Sequence, residues 1–336
     1  MLAWRLRRVR SILAVMRRSR LWRSVVTVAL LGVMPVALAA CGGSSPGGGW
    51  FDGQGASSGP SSGASAGPSA SASPISGKPV HVRFLEGDGS TWGVGMPIIA
   101  YLSAKITDAR AFAAAATVTV NGAPAQGAWY FQKSAIYSGY PLEAHYRTES
   151  YWPAHAKIHL DLPVQGRSAG TGLVFDNSLT LDMSTGAANI SRVDGHTERM
   201  IVTSDGKQVF SFPVSLGKAS TPTFSGVKVT MEKDRVQRMT GPGYDLEVPW
   251  SVRITNSGEF VHSASWNGGN IGQRSTSHGC TNLTGADAKR FFDFAQIGDV
   301  TVYTNTGGPT MPSWDGYGDW NLSWSTWQAG GVLPTS

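Results

Sequence analysis

From Gly42 to Gly77 the chain reads GGSSPGGGWFDGQGASSGPSSGASAGPSASASPISG, and this tract limits where folding can occur. Gly, Ser, Ala and Pro bring too little apolar surface to offset the entropy of ordering a backbone. Residues 41–77 therefore read as a flexible tether. A tract of about 35 such residues spans roughly 30 Å on average and at most roughly 120 Å when stretched. Any core has to be built from the remaining C-terminal part, about 260 residues, which is room for two domains of ordinary size.

The part preceding the tether reads as a targeting segment. Eight arginines (Arg5, Arg7, Arg8, Arg10, Arg17, Arg18, Arg20 and Arg23) lead into the apolar run VVTVALLGVMPVALAA with no acidic residue among the first forty. The run is short and interrupted by Pro35, which suits a signal peptide better than a membrane span. Removing these eight from 28 basic residues leaves 20 against 22 acidic ones, about −2. The formal +6 of the whole chain thus belongs to the leader, and no basic surface for nucleic acid is indicated. Small residues before a cysteine, in Leu38-Ala39-Ala40-Cys41, resemble a lipobox. The expectation is a lipoprotein signal peptide over 1–40, lipidation of Cys41, and a protein held on the outer face of the cell membrane.

Beyond the tether the apolar pattern has period two. KIHLDL places Ile158, Leu160 and Leu162 on one face, and ATVTVNGAPA alternates before turning at Asn121-Gly122. Such runs over 78–185, with one short helix in TDARAFAAAA, predict an immunoglobulin-like β-sandwich. Residues 186–305 are also mainly β. RMIVTSDGKQVFSF is a hairpin signal centred on Asp205-Gly206, and EFVHSASW and DVTVYTN read as strands. One main helix is predicted, with Thr284 as N-cap and Asp287 three residues on. It carries Ala288, Phe291, Phe292 and Ala295 on one face and is expected to end near Gly298. The tail, 306–336, holds Trp314, Trp320, Trp324 and Trp327. These indoles are expected to pack on the 186–305 domain, with a carbohydrate-stacking surface as the alternative.

STSHGCTNL, Ser275–Leu283, holds the second of two cysteines. With Cys41 lipidated, Cys280 has no disulfide partner, and a free thiol outside the cytoplasm raises the prior for a reactive one. Three readings remain. Zinc on His262, His278 and Cys280 lacks a second thiolate or a nearby carboxylate. A buried structural cysteine is the plain alternative. The third is a nucleophile: an imidazole takes the thiol proton and returns it to a leaving amine, while a further group fixes the imidazole tautomer. Gly279 would let the backbone approach a substrate closely, with N–H groups near it facing a developing oxyanion.

The stretch His262–Asn282, HSASWNGGNIGQRSTSHGCTN, resembles the signature of L,D-transpeptidases with a YkuD-type catalytic domain. Together with the leader, tether and preceding β domain, the whole chain resembles the actinobacterial branch of that family. The resemblance implies a YkuD-type domain over 186–305 that forms peptidoglycan cross-links between third-position diamino acids through a Cys280 thioester. Carboxypeptidase activity would follow when water is the acceptor. It implies His262 as base, the Ser263 carbonyl as orienter, and Ser277, His278, Gly279 and Asn282 around the substrate and oxyanion. It also implies Tyr244 at the substrate carbonyl, and Trp266 and Met231 on either side of the groove. Tetrapeptide stems would be donor and acceptor, carbapenems inhibitors, and no cofactor or metal is implied. The lid segment MEKDRVQRMTGPGY departs from the pattern in being charged and lacking an additional aromatic. Other Cys/His enzymes fit less well, because papain-like peptidases place cysteine before histidine and sortases need a nearby arginine, for which Arg290 is the candidate. From another class, the chain could be a non-catalytic, peptidoglycan-binding or adhesin-like lipoprotein.

Overall fold

The computed structural model describes residues 76–335, apart from 136–138 and 242–243. The leader, Cys41 and most of the tether lie outside the described residues. Among the described residues no helix is long and apolar enough to cross a membrane.

The first eleven strands are β1 (Lys78–Val80), β2 (Val82–Phe84), β3 (Ser90–Trp92), β4 (Ile98–Leu102), β5 (Thr117–Val120), β6 (Ala123–Pro124), β7 (Gly127–Lys133), β8 (Leu142–Thr148), β9 (Lys157–Leu162), β10 (Leu173–Phe175) and β11 (Leu179–Thr185). They form a sandwich of two main sheets, ordered β3-β11-β9-β5-β6 and β2-β4-β8-β7. The expected alternation holds in β9: Ile158, Leu160 and Leu162 point into the core while Lys157 and His159 face out. Between β4 and β5 lies the helix α1 (Arg110–Ala115), which sends Phe112 and Ala115 into the core. Its Phe112 is fully buried, with ring centroids 5.0 Å from Trp129 and 5.5 Å from Phe131.

The remaining strands are β12 (Asn189–Asp194), β13 (Arg199–Ser204), β14 (Lys207–Pro213), β15 (Gly226–Val229), β16 (Glu232–Gly241), β17 (Tyr244–Arg253), β18 (Phe260–Ser263), β19 (Thr281–Leu283) and β20 (Val300–Thr304). They form two sheets, β14-β13-β12-β20-β15 and β16-β17-β18-β19. The β13–β14 hairpin turns at Asp205 (φ 48°) and Gly206 (φ 79°), the left-handed pair that matches strand twist. The helix α2 (Gly285–Phe294) starts as predicted, the Thr284 side chain accepting a hydrogen bond from the Asp287 N–H at 3.2 Å. Ala288 and Phe291 enter a core with Val202, Phe212, Val261 and Leu283.

Two expectations need correction. The helix ends at Phe294, four residues before Gly298, because Asp299 organises a separate turn. Its carboxylate accepts from the Gln296 N–H at 2.7 Å and its own N–H donates to the Gln296 carbonyl at 3.0 Å. Gly298 instead meets Gly93 of the sandwich, where a Cβ on Gly93 would lie 2.2 Å from Gly298 C.

The tail follows expectation in its first half, where Thr310 bridges to Ser225 and Asp315 holds Ser257, and departs from it in its tryptophans. After β20 it touches β15 through Asn321, whose Oδ1 accepts from the Val227 N–H at 2.7 Å. It then crosses to the sandwich, with a third helix, α3 (Trp324–Gln328), lying against β7. Trp327 donates its indole N–H to the Ala128 carbonyl at 2.8 Å and stacks on Tyr130 at 4.8 Å. Trp320 donates to the Gly95 carbonyl at 2.8 Å. The physical reason is a cation on β8. The Arg147 side chain is almost fully buried, and its guanidinium lies 4.5, 4.8 and 5.3 Å from the Trp327, Trp320 and Trp324 rings. Beside it Asp319 accepts from the His145 Nδ1–H at 2.9 Å. Although burial opposes its charge, Asp319 and Glu143 hold the pKa of His145 up, to about 10. Three of the four tail tryptophans thus face the sandwich, and Trp314 is half exposed.

Candidate active site

The site is built where β18 and β19 lie side by side and parallel. Their register pairs Val261 with Thr281, His262 with Asn282 and Ser263 with Leu283. Val261, Thr281 and Leu283 are completely buried, Val261 and Leu283 within the core beneath α2. Strand alternation therefore turns His262 and Asn282 to the opposite face, together with Cys280 one residue before β19. The same alternation directs the imidazole and the thiol, separated by eighteen positions in sequence, to one side of the sheet.

The imidazole is fixed from one side. Its Nδ1–H donates to the Ser263 carbonyl at 2.8 Å, which leaves Nε2 as the basic nitrogen. Its ring is 6.0 Å from that of Trp266, inclined by 26°, and Trp266 itself is 55% exposed, as a side chain beside an open groove would be. Burial pushes His262 down to about 4, opposed by its hydrogen bond to Ser263. The Cys280 thiol hydrogen-bonds to the Gly258 carbonyl at 3.8 Å rather than to the imidazole. Burial pushes it up to about 11, with the Phe260 backbone opposing. At neutral pH both groups are uncharged. Hydrogen bonds between such groups commonly tighten only when substrate is present.

The loop before the thiol is tied to itself and to its surroundings. Ser277 donates its hydroxyl to the Cys280 carbonyl at 2.6 Å and accepts the Gly279 N–H at 3.1 Å. This N–H, expected to face an oxyanion, is engaged inside the loop, and Ser277, expected at the substrate, is the side chain that engages it. Gly279 sits at φ +117°, a conformation side chains disfavour. Thr223 donates to the Gly279 carbonyl at 2.8 Å. His278 reaches the lid: its ring lies 5.6 Å from that of Tyr244, at the start of β17, and its Nε2 is 3.3 Å from Lys218 Nζ. Asn282 Oδ1 is buried without a hydrogen-bond partner. Met231 packs toward the tail, where a Cβ on Gly316 would meet its sulfur at 2.7 Å.

The charged lid segment is one long ribbon, β16 paired with β17 from Glu232↔Arg253 to Gly241↔Tyr244. Arg238 bridges it, donating Nε–H to Asp245 at 2.8 Å. Arg290 is on α2 with its guanidinium 4.8 Å from the Phe210 ring, so it is not brought to the thiol as a sortase-like site would need. Among the described residues no three of His, Cys, Asp and Glu are grouped so as to hold a metal ion. Sequence reasoning passed over the buried Lys228, Glu259 and Tyr303 behind the thiol loop. Glu259 stands three residues before His262 in a strand context, which is a signal only in hindsight.

The sequence and the fold have relatives among known proteins. The sequence model of the family described as the L,D-transpeptidase catalytic domain (YkuD) matches residues 188–303. A bacterial Ig domain matches residues 72–168. L,D-transpeptidase 1 of Mycobacterium tuberculosis is 30% identical over 224 residues, 63% of this chain and 80% of that protein. The chain belongs to the L,D-transpeptidase family. Also similar is L,D-transpeptidase 2 of Mycobacterium tuberculosis, 32% identical over 265 residues, 75% of this chain. The chain spans 63% of that relative's length, and 60% of L,D-transpeptidase 5 of the same species. Among solved structures, an LD transpeptidase in complex with imipenem superposes with a TM-score of 0.56 at 26% identity, covering 69% of this chain and all of that one. An L,D-transpeptidase from Mycobacterium smegmatis gives 0.55 at 26% identity over 68% of this chain and all of that one. The immunoglobulin-like sandwich and the YkuD-type catalytic domain are therefore the two folds of this L,D-transpeptidase family member.

Proposed function

We propose that this chain is a cell-wall L,D-transpeptidase that works through a thioester on Cys280. The observation that carries the reading is the tautomer lock. His262 gives its Nδ1–H to Ser263 and presents Nε2 on the sheet face that Cys280 shares. The acyl donor is a tetrapeptide stem. As the sulfur attacks the carbonyl between the diamino acid and the terminal D-alanine, its proton passes to His262 Nε2. The C–N bond then breaks, His262 returns the proton to the leaving amine, and D-alanine departs. The side-chain amine of a second stem attacks the thioester, gives a proton to His262 and leaves a link between two third-position residues, the thiol regaining its proton. With water in place of the amine the product is a shortened stem, a carboxypeptidase side reaction.

The two uncharged resting groups fit this sequence. With the thiol pushed up to about 11 and the imidazole down to about 4, a standing thiolate–imidazolium pair is disfavoured. The proton therefore moves as the carbon–sulfur bond forms. Tyr244 beside His278 and Trp266 beside His262 form the rim that reads the stem. β-Lactams of the carbapenem class acylate the same sulfur in this reading, as suits similarity to a transpeptidase solved with imipenem. Lipid on Cys41 holds the enzyme outside the membrane, and the 41–77 tether lets it reach the wall.

The deciding experiment is mass spectrometry of the soluble chain after incubation with a carbapenem. A mass increase absent from Cys280→Ala supports the enzyme. No adduct, together with binding to wall sacculi, would return the non-catalytic lipoprotein. Fatty-acid labelling lost in Cys41→Ala tests the anchor.

A further inference from the structure

Behind the thiol loop lies an ion pair that the chemistry above does not use. Lys228 on β15 is completely buried and Glu259, just before β18, nearly so. The ammonium donates directly to Glu259 Oε2. Taking two charges out of water is costly, and a buried pair contributes little net stability compared with apolar side chains of like size. Its location suggests another role.

Glu259 stands between the two residues whose backbones face the sulfur. Gly258 before it supplies the carbonyl that the thiol contacts at 3.8 Å, and the Phe260 backbone after it favours the ionised sulfur by a hydrogen bond. The carboxylate reaches across the loop as well. Oε1 accepts the Phe224 N–H at 2.8 Å, next to the Thr223 hydroxyl that holds the Gly279 carbonyl. A Cβ on Gly279 would lie 3.3 Å from the same oxygen. Lys228 Nζ sits 3.9 Å from the centroid of Tyr303, whose hydroxyl is 2.7 Å from Thr281 Oγ1, one residue past the thiol. One carboxylate thus touches the segments before, beside and beneath Cys280, and one ammonium closes the ring.

We infer that Glu259 and Lys228 are positioning residues for the Cys280 thiol, the carboxylate fixing the Gly258–Phe260 backbone and the Gly279 turn around the sulfur, and the ammonium offsetting that carboxylate so that negative charge can develop there. The inference rests on Cys280 being the nucleophile. Burial pushes Lys228 down and Glu259 up, and each restores the other's charge. At the sulfur the two act with opposite sign, Glu259 raising the thiol and Lys228 lowering it. The other charges felt here are Arg253, held by Glu232 at 2.9 Å, and Asp315, which accepts from the Ser257 N–H and hydroxyl at 2.6 Å each.

The test measures two things on the soluble chain: the pH dependence of Cys280 alkylation by iodoacetamide, and the concentration dependence of imipenem acylation. Lys228→Met is expected to move the alkylation profile to higher pH and Glu259→Gln to lower pH. Glu259→Asp keeps the charge, leaves the profile in place, and withdraws the carboxylate from Phe224 and Gly279. In all three the maximal acylation rate falls on the order of tenfold or more, the scale of an ångström-sized misplacement. Imipenem affinity before acylation changes by less than about threefold. Profiles that move in the same direction, or not at all, overturn the inference, as does wild-type acylation in Glu259→Asp. Should the two charge-removing variants not fold, Glu259→Asp decides alone by its acylation rate. A wild-type chain that takes no imipenem adduct defeats the proposed function, while the alkylation profiles still decide the pair.

Discussion

Trp327→Ala tests whether the tail is a structural strap. The indole is fully buried, its N–H donates to the Ala128 carbonyl at 2.8 Å, and its ring stacks on Tyr130 at 4.8 Å. Truncating a fully buried aromatic of this kind costs about 3–5 kcal/mol. The Arg147 guanidinium also loses a π face 4.5 Å away, worth about 0.5–2 kcal/mol. Taking about 5 kcal/mol together, and about 2–4 °C per kcal/mol for a body of this size, the midpoint should fall by roughly 10–20 °C. The assay is thermal unfolding of the soluble chain, with Trp314→Ala as the matched control. Trp314 is 51% exposed, and surface truncations usually stay within about 0.5 kcal/mol, or about 1–2 °C. Equal, small losses in the two variants would refute the strap and return the tryptophans to a sugar-binding role.

Four further outcomes are expected. Acylation by a carbapenem should be level from about pH 5 upward and fall below it with a midpoint near 4, because burial lowers His262 and only its neutral form accepts the thiol proton; an inflection near 7 would contradict this. Gly279→Ala should abolish acylation while the fold persists by circular dichroism, since φ +117° is closed to alanine without moving the loop. Thr284→Ala removes the cap on α2 and should destabilise by about 1 kcal/mol in urea, against no change for a residue that caps nothing. Asp299 is pushed up to about 7 by burial, so its contribution to stability is full at low pH and declines as pH rises from its unfolded value through 7. Asp299→Asn should flatten that part of the stability–pH curve, and an unaltered slope would assign it elsewhere.

The fold and the centre of the site were legible because both are written in local pattern. KIHLDL could bury Ile158, Leu160 and Leu162 together only as a strand, and Asp205-Gly206 could close a hairpin without strain. His262 and Ser263 were legible through the resemblance of HSASWNGGNIGQRSTSHGCTN to the family signature, and the hydrogen bond between them joins adjacent residues. What could not be read depends on distant partners. Nothing near Trp327 in sequence announces Arg147, which is 180 residues away and needs aromatic faces once buried. Gly298 looked like a helix stop because its other demand, close contact with Gly93, is made in space alone. Ser277 looked like a substrate contact, yet its hydroxyl is the hinge pin of its own loop. Lys228 and Glu259, 31 positions apart, had no shared motif to join them.

Asp315 has a practical consequence. Its carboxylate grips Ser257, on the turn whose next residue supplies the thiol's carbonyl contact, while a few residues on the same segment runs over the sandwich. A polypeptide trimmed back to Thr304 for inhibitor screening would keep every residue of the His262–Asn282 signature. It would nonetheless lose the two hydrogen bonds that hold Ser257, one residue before the thiol's carbonyl contact, so compounds ranked on it would be ranked against a site without that brace.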